Sequence, residues 1–244
     1  MNKAMYLIKQ SVATNSLDLY IYDYVEGDSY DWWTDEKIES QTSANYIQKQ
    51  LESAKDISQI NIYINSYGGE VKEGLAIYNQ LKRHSANKTV YVDGFACSIA
   101  SVIAMVGDKV IMGPNTLMMI HHASTGAWGN SDELRKAAND LDVIDKASCS
   151  SYLTKAGDKL TEEVLNQLLD NQTWLNAEQC LQYGLCDEIS GKEDENIVKA
   201  QQRFNNAIKQ QLEGLVPNPK VPEQYQNNRT NAEKLMMAFR KKIN

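Results

Sequence analysis

The side chains capable of nucleophilic or proton-transfer chemistry are few, and they concentrate in two short segments. The chain has three histidines among 244 residues. His84 follows two basic residues at the end of a predicted helix, where a cation interacts favourably with the helix dipole without any catalytic role. His121 and His122 instead follow four apolar residues and open a loop, where catalytic groups tend to lie. These two residues are the candidates for a general base.

Ser98 is the candidate nucleophile. It follows the segment 93–97, which comes after a predicted strand, and is predicted at the first turn of a small-residue helix, where the backbone N–H of Ile99 points outward and can donate to an oxyanion. A second donor can come from the turn at Gly68 and Gly69, which follows a predicted strand at 59–65. Two backbone N–H groups that converge on one oxygen stabilise the charge that develops in acyl transfer. The combination therefore favours acyl-transfer chemistry.

The elements that must position these residues alternate between strand and helix. Period-two alternation predicts strands near 18–25 and 59–65, and short apolar runs predict others at 89–92, 109–112 and 117–120. Helical spacing of apolar residues predicts helices at 43–54, 71–81 and 97–106. This alternation with short connections predicts an α/β fold with helices packed on sheets.

The pattern changes after residue 130. A long, mostly polar helix is predicted at 132–156, with a narrow apolar stripe that includes Leu134, Leu141 and Ile144. Such a helix can be an interface element or can pack on its own core, and the pattern fits both equally. A helix at 161–169 and the segment 174–189 complete the predicted core. Residues 191–244 are rich in Gln, Asn and Lys, which predicts a polar, partly helical tail.

The bulk composition argues against several other classes of function. A net charge of -7 disfavours binding to a phosphate backbone. No apolar run reaches the roughly 18 to 20 residues that a membrane span needs, and the N-terminus lacks the features of a signal peptide. The four cysteines have no metal-site spacing, and no phosphate-binding loop is present. We therefore expect a cytoplasmic protein with no metal, cofactor, nucleic-acid or membrane partner.

Four segments resemble motifs of the Clp protease proteolytic subunit family, and they occur in the family's order. Residues 64–78 resemble its INSPGG–V–G–AIYD stretch, and residues 94–101 resemble the GxAASMA segment around its nucleophile. Residues 119–122 resemble its MIHQP motif, and residues 174–187 resemble its FLSAEEA–YGLVD close. The resemblance covers about residues 15 to 190. The TWLNAE form and the unusual tail are similar to the Clp-like head-maturation proteases of phages and prophages.

The resemblance implies a fold and a set of roles. It implies a Clp-protease/crotonase-type spiral of ββα units in residues 1–190, with the helix at 132–156 projecting as a handle, and a tail at 191–244. It implies a serine endopeptidase with Ser98 as nucleophile, His121 as general base, and Gly69 and Ile99 as oxyanion donors. His122 inherits no catalytic role.

The resemblance also implies a mode of substrate binding and a third catalytic member. A peptide would add as an extra strand along Ala123, Ser124 and Thr125 and beside Gly68. The family's Asp or Glu lies two residues before the aromatic of the closing motif, and this chain has Gln172 there. A Gln carbonyl can still accept from the imidazole Nδ1–H, as Asn does in papain-like proteases, although it cannot stabilise an imidazolium as a carboxylate does. Asp170 is the alternative.

Partners follow from the same resemblance. It implies a homo-oligomeric ring of six or seven subunits, stacked in pairs in some relatives, that acts on peptide or unfolded protein. An ATP-dependent unfoldase or capsid proteins are the expected protein partners. Two other interpretations stay open: an acyl-CoA enzyme of the crotonase type, and a catalytically impaired ring-forming capsid or scaffold protein, to which Gln172 gives some weight.

Overall fold

The structure is a computed structural model, and it describes residues 15–54 and 56–191 together with the backbone of residues 10–11. The strands of these residues are β1 Gln10–Ser11, β2 Ser16–Tyr22, β3 Ser29–Asp31, β4 Glu36–Ile38, β5 Gln59–Ser66, β6 Asn87–Cys97, β7 Lys109–Met112, β8 Leu117–Ile120, β9 Thr173–Asn176 and β10 Glu188–Ile189. The α-helices are α1 Ala44–Ser53, α2 Val71–Arg83, α3 Ile99–Ala104, α4 Ser131–Ala156, α5 Glu162–Asp170 and α6 Ala177–Gln182.

The main sheet is mostly parallel, which confirms the predicted α/β class. Its strand order is β1-β2-β5-β6-β7-β10, with β8 paired to β6 and β9 paired to β8. The pairs β2–β5, β5–β6 and β6–β7 are all parallel. Parallel neighbours need crossover connections, and α1, α2 and α3 supply them. The predicted strands and helices in this part of the chain are therefore present, with ends that differ by a few residues.

β6 is the strand that organises the site, and the sequence predicted it too short. Its residues 89–92 pair with β7, and its residues 95–97 pair with β8. The alternating pattern ends at Asp93 and Gly94, which suggested a strand end there. Pairing with β8 nevertheless carries the strand on to Cys97, so α3 begins only at Ile99. Strand pairing depends on residues distant in the chain, and the local pattern does not contain that information.

α4 is long and mostly unpacked. Asn130 caps it with a reciprocal capping box, because its side chain accepts from the backbone of Glu133 while the Glu133 side chain accepts from the Asn130 backbone. The buried residues of this helix are Ser151, Tyr152 and Ala156, all in its last two turns. Leu134 is 45% exposed and Ile144 is 38% exposed. The N-terminal part of α4 is thus not packed on its own core, and it forms the projecting handle of the expected fold.

The tail, the absence of a membrane span and the state of the cysteines were also predicted from the sequence. Of the tail predicted at 191–244, only Gly191 is among the described residues. Within the described part of the chain, no helix is long and apolar enough to cross a membrane. The same residues contain no cluster of three or more side chains suited to hold a metal ion. The cysteines are free thiols, and burial raises the pKa of Cys97 to about 11.

Candidate active site

Ser98 occupies a sharp corner between β6 and α3. The sequence placed it in the first turn of the helix, but the structure places it before α3, as the capping residue, with φ of 52° and ψ of -129°. A positive φ is rare for a residue with a Cβ, and such strained residues cluster at functional sites. The corner is held because the Ser98 N–H donates to the Met119 carbonyl at 2.8 Å. The backbone therefore fixes the direction in which the hydroxyl points.

The same strand pairing brings His121 to Ser98. Cys97 pairs with Met119 across β6 and β8, and His121 is the first residue after β8. The His121 Nε2 atom lies 2.9 Å from the Ser98 Oγ atom, which is hydrogen-bond distance. A serine hydroxyl paired with an imidazole is the arrangement that activates serine as a nucleophile.

A buried chain of hydrogen bonds stabilises the backbone at Ser98. The Ser101 hydroxyl donates to the Ser98 carbonyl at 2.5 Å, and it lies 2.6 Å from the Tyr152 hydroxyl. Tyr152 is 2% exposed, and burial raises the pKa of its phenol, so that hydroxyl stays protonated. The base of α4 therefore reaches the nucleophile through one intermediate side chain. No local sequence pattern distinguishes Ser101 or Tyr152, because each lies at an ordinary position of a predicted helix.

The glycine turn lies directly against the nucleophile. A Cβ on Gly68 would be 2.7 Å from the Ser98 Cβ atom and 2.7 Å from the Cys97 carbonyl oxygen. A Cβ on Gly69 would be 2.1 Å from the Val25 carbonyl oxygen. Both positions therefore require glycine. Among the described residues, the N–H groups of Gly69 and Ile99 have no hydrogen-bond acceptor, and such groups can donate to a substrate oxyanion.

Gln172 lies beside His121 without contacting it through its side chain. β8 and β9 are antiparallel, and the pairing of Ile120 with Thr173 puts residues 121 and 172 at the next position of the ladder. Gln172 is exposed, with a φ of 47°. Its side chain makes no hydrogen bond to another described residue, and the same holds for the Nδ1 atom of His121. The predicted third member is therefore adjacent to the histidine but does not orient it in this conformation.

His122 is the residue that contacts carboxylates. Its Nδ1 atom lies 2.9 Å from Asp145 Oδ2, and its Nε2 atom lies 3.1 Å from Asp170 Oδ1. The Ala123 N–H also donates to Asp145 Oδ1 at 2.6 Å. Asp170, the alternative third member, is thus directed to His122 rather than to His121. Asp145 was missed because it lies on the polar face of a predicted helix, where one carboxylate among many gives no signal.

The predicted peptide-binding segment runs past the site in an irregular conformation. Residues 121–128 form neither helix nor strand, and Ser124 and Thr125 are exposed. The Ala123 N–H is already occupied by Asp145, and the Gly68 carbonyl accepts from the Val25 N–H at 2.8 Å. Ser124 and Thr125 are the members of the predicted segment that remain open to a peptide in this conformation.

A cleft of about 650 Å³ adjoins the site on the side of α4 and α5. Its lining includes His122, Asp145, Cys149, Glu162 and Asp170. A smaller cavity reaches the catalytic candidates themselves, with Ser98, His121, Asp145 and Tyr152 among its lining residues. The site is therefore bounded by the last three turns of α4 on one side and by the β6–β8 pair on the other.

Comparison with known proteins identifies a family and several relatives that match most of the chain. A family model described as Clp protease matches residues 33–193. The chain is 35% identical over 164 residues to the ATP-dependent Clp protease proteolytic subunit of Deinococcus radiodurans, a match that covers 65% of this chain and 79% of that protein. It is 35% identical over 154 residues to the same-named subunit of Ligilactobacillus salivarius, covering 60% of this chain and 76% of that protein.

A third relative is similar to the same extent. The ATP-dependent Clp protease proteolytic subunit 1 of Streptomyces avermitilis is 32% identical over 154 residues, which are 61% of this chain and 70% of that protein. The span matched by the family model includes the serine, histidine and glutamine singled out above.

Proposed function

The chain belongs to the Clp protease family and is a serine peptidase of that type, and from this premise we propose that Ser98 is its nucleophile and His121 its general base. The observation that carries the proposal is the 2.9 Å distance between the Ser98 Oγ and His121 Nε2 atoms. Two features of the corner support it: the positive φ of Ser98 and the close approach of Gly68 to its Cβ atom.

The proposed reaction is hydrolysis of a peptide bond through an acyl-enzyme. Nε2 of His121 takes the proton of the Ser98 hydroxyl while Oγ bonds to the substrate carbonyl carbon. The carbonyl oxygen becomes an oxyanion, which accepts from the N–H groups of Gly69 and Ile99. His121 then gives its proton to the leaving amine as the C–N bond breaks. Water, deprotonated by the same imidazole, hydrolyses the ester and restores the Ser98 hydroxyl.

Gln172 is the proposed orienting residue for His121. The register of β8 and β9 supports this role, because it puts residue 172 opposite residue 121. A rotation of the exposed Gln172 side chain would let its carbonyl oxygen accept from the Nδ1–H of the imidazole. Asp170 is the alternative, and it would first have to leave its contact with His122.

The proposal extends to substrate, assembly and partners. Residues 1–190 would form the catalytic domain, and Ser124 and Thr125 with the neighbouring Ala123 and Gly68 would hold an extended peptide or unfolded chain. The exposed apolar residues of the α4 handle support a homo-oligomeric ring. The relatives' names include ATP dependence, which an unfoldase partner would supply here. Capsid proteins would be partners of a phage-type enzyme. The protein would act in the cytoplasm of a bacterium or of a phage-infected host.

A fluorophosphonate probe with a peptidase assay tests the proposal. The wild-type protein should be labelled at Ser98 and should degrade unfolded casein, whereas Ser98→Ala should be unlabelled. Loss of a triad nucleophile lowers kcat on the order of 10⁶-fold. Native mass spectrometry of both proteins should give the same closed oligomer, because the substitution removes one oxygen atom.

The outcomes separate the proposal from its competitors. An Ala variant that keeps more than about a tenth of wild-type activity would exclude Ser98 as the nucleophile. A folded, oligomeric wild-type protein that is neither labelled nor active would instead favour the impaired capsid or scaffold protein. Turnover of acyl-CoA thioesters in the Ser98→Ala variant would favour the crotonase-type enzyme.

A further inference from the structure

One carboxylate holds the two residues that immediately follow His121. Asp145 uses Oδ2 for the His122 ring and Oδ1 for the Ala123 backbone N–H, at 2.9 Å and 2.6 Å. The Asp145 side chain is 19% exposed and the His122 side chain is 38% exposed, so both contacts are partly buried. Hydrogen bonds to an ionised acceptor are about twice as strong as those between neutral groups. Asp145 therefore anchors His122 and Ala123, the two residues that follow the candidate base.

His121 needs such an anchor because of where it lies. The residues before it are held in β8 by pairing with β6 and β9 on both sides. The residues after it have no regular structure until α4 begins. The imidazole also lacks a partner for Nδ1 among the described residues, so its ring is not oriented in the way a triad carboxylate would orient it. The distance from His121 to Ser98 therefore depends on the backbone on the open side as well as on the pairing of β8 with β6.

We propose that Asp145 is a positioning residue for His121, acting through the His122 ring and the Ala123 backbone. The inference rests on the proposed function, since it assigns a role within the same peptidase site. Asp145 makes no direct contact with the reacting atoms. Through Asp145, the distance between Ser98 and His121 depends on the position of α4. The same helix also contacts the Ser98 segment, because Tyr152, seven residues after Asp145, is hydrogen-bonded to Ser101, which donates to the Ser98 carbonyl. A shift of about 1 Å in such a pair can lower the rate on the order of 10²-fold.

The test compares three substitutions at the anchor. Asp145→Ala should lower kcat by about 10- to 100-fold with KM nearly unchanged, and should slow fluorophosphonate labelling of Ser98 by a similar factor. Asp145→Asn keeps an oxygen for the Ala123 N–H and should stay within a few-fold of wild type. His122→Ala removes one of the two contacts and should lower kcat by about threefold to tenfold. The Asp145→Ala/His122→Ala double variant should be no slower than Asp145→Ala, because both act through one contact.

Asp142 provides the matched control. It lies on α4 less than one turn before Asp145, is exposed, and makes no hydrogen bond to another described residue. Asp142→Ala should leave kcat within about twofold of wild type. Circular dichroism and native mass spectrometry on every variant separate loss of fold or assembly from loss of positioning. A merely structural role would change those two measurements while kcat per folded subunit stayed constant.

The outcomes distinguish failure of the Asp145 positioning role from failure of the proposed peptidase function. Asp145→Ala with wild-type kcat and labelling overturns the positioning role while the serine peptidase assignment stands. Asp145→Asn that is as slow as Asp145→Ala also overturns it, because Asn keeps an oxygen that can accept from the Ala123 N–H and should therefore preserve part of the anchor. If Asp145→Ala does not fold, His122→Ala decides, and a kcat within about twofold of wild type overturns the role. A wild-type protein that is neither labelled nor active shows that the proposed function itself fails.

Discussion

Ser98 is held by buried, close-packed groups, whereas His121 is held on one side by strand pairing and on the other by partly exposed side chains from distant elements. The serine corner is fixed by a strand-pairing hydrogen bond, a glycine turn and a buried hydroxyl chain. The histidine segment is fixed by β8 and then by Asp145, while Asp170, the second carboxylate at His122, is 71% exposed.

The difference indicates where the site can tolerate change. Buried, close-packed groups cannot move without strain, so a substitution near Ser98 should damage stability and activity together. The histidine segment relies on partly exposed polar contacts, which contribute little to the free energy of unfolding. Substitutions there should change activity with little effect on stability.

Removal of the base should be as damaging as removal of the nucleophile. His121→Ala should lower kcat on the order of 10⁶-fold, and the Ser98→Ala/His121→Ala double variant should be hardly worse, because the two residues act as a unit. Single-turnover hydrolysis of a fluorogenic peptide measures both. The thermal midpoint of His121→Ala should stay close to that of wild type. A larger loss in His122→Ala than in His121→Ala would place the base one residue further on.

A methyl group at the glycine turn should damage the serine corner as a whole. In Gly68→Ala the new residue would have to adopt a φ of 97°, and its Cβ atom would lie 2.7 Å from the Ser98 Cβ atom and 2.7 Å from the Cys97 carbonyl oxygen. The substitution should therefore displace Ser98 and lower kcat/KM by about 100-fold or more. Overpacking of this kind lowers the free energy of unfolding by about 1–3 kcal/mol. Urea titration with a peptidase assay checks both quantities.

Gly157 is the matched control for that substitution. Its φ of 56° carries a backbone cost, but no atom lies within 4 Å of the position of an added Cβ. Gly157→Ala should therefore lower stability without a specific loss of kcat/KM. Equal losses of activity in the two variants would mean that the close approach of Gly68 to Ser98 is unimportant.

The smallest effects are expected at the third position. If Gln172 orients His121, Gln172→Glu should keep or raise kcat, because a carboxylate stabilises the imidazolium that an amide cannot. Gln172→Ala should lower kcat by about tenfold, far less than the roughly 10⁴-fold cost of replacing a triad Asp by Asn. Steady-state kinetics measure both. A silent Gln172→Ala together with a damaging Asp170→Ala would assign the acidic role to Asp170.

Much of the molecule could be predicted from local patterns. The alternation of strand and helix predicted the α/β class, because apolar periodicity reports directly which face of an element is buried. The narrow apolar stripe in the mostly polar segment 132–156 predicted α4 to within one residue of its start. The pairing of Ser98 with His121 came from motif resemblance, and the structure brings the two side chains together at 2.9 Å.

The sequence by itself determined most elements of the α/β core and the residue types at the site: a serine at the start of a small-residue helix, a histidine after a strand, and two glycines in a turn after another strand. Tertiary structure decided how far β6 extends, which conformation Ser98 adopts, and which carboxylates meet His122. Asp145 and Asp170 are separated from His122 by 23 and 48 residues. Contacts over such separations depend on how α4 and α5 pack against the sheet, and no local periodicity in the chain specifies that packing.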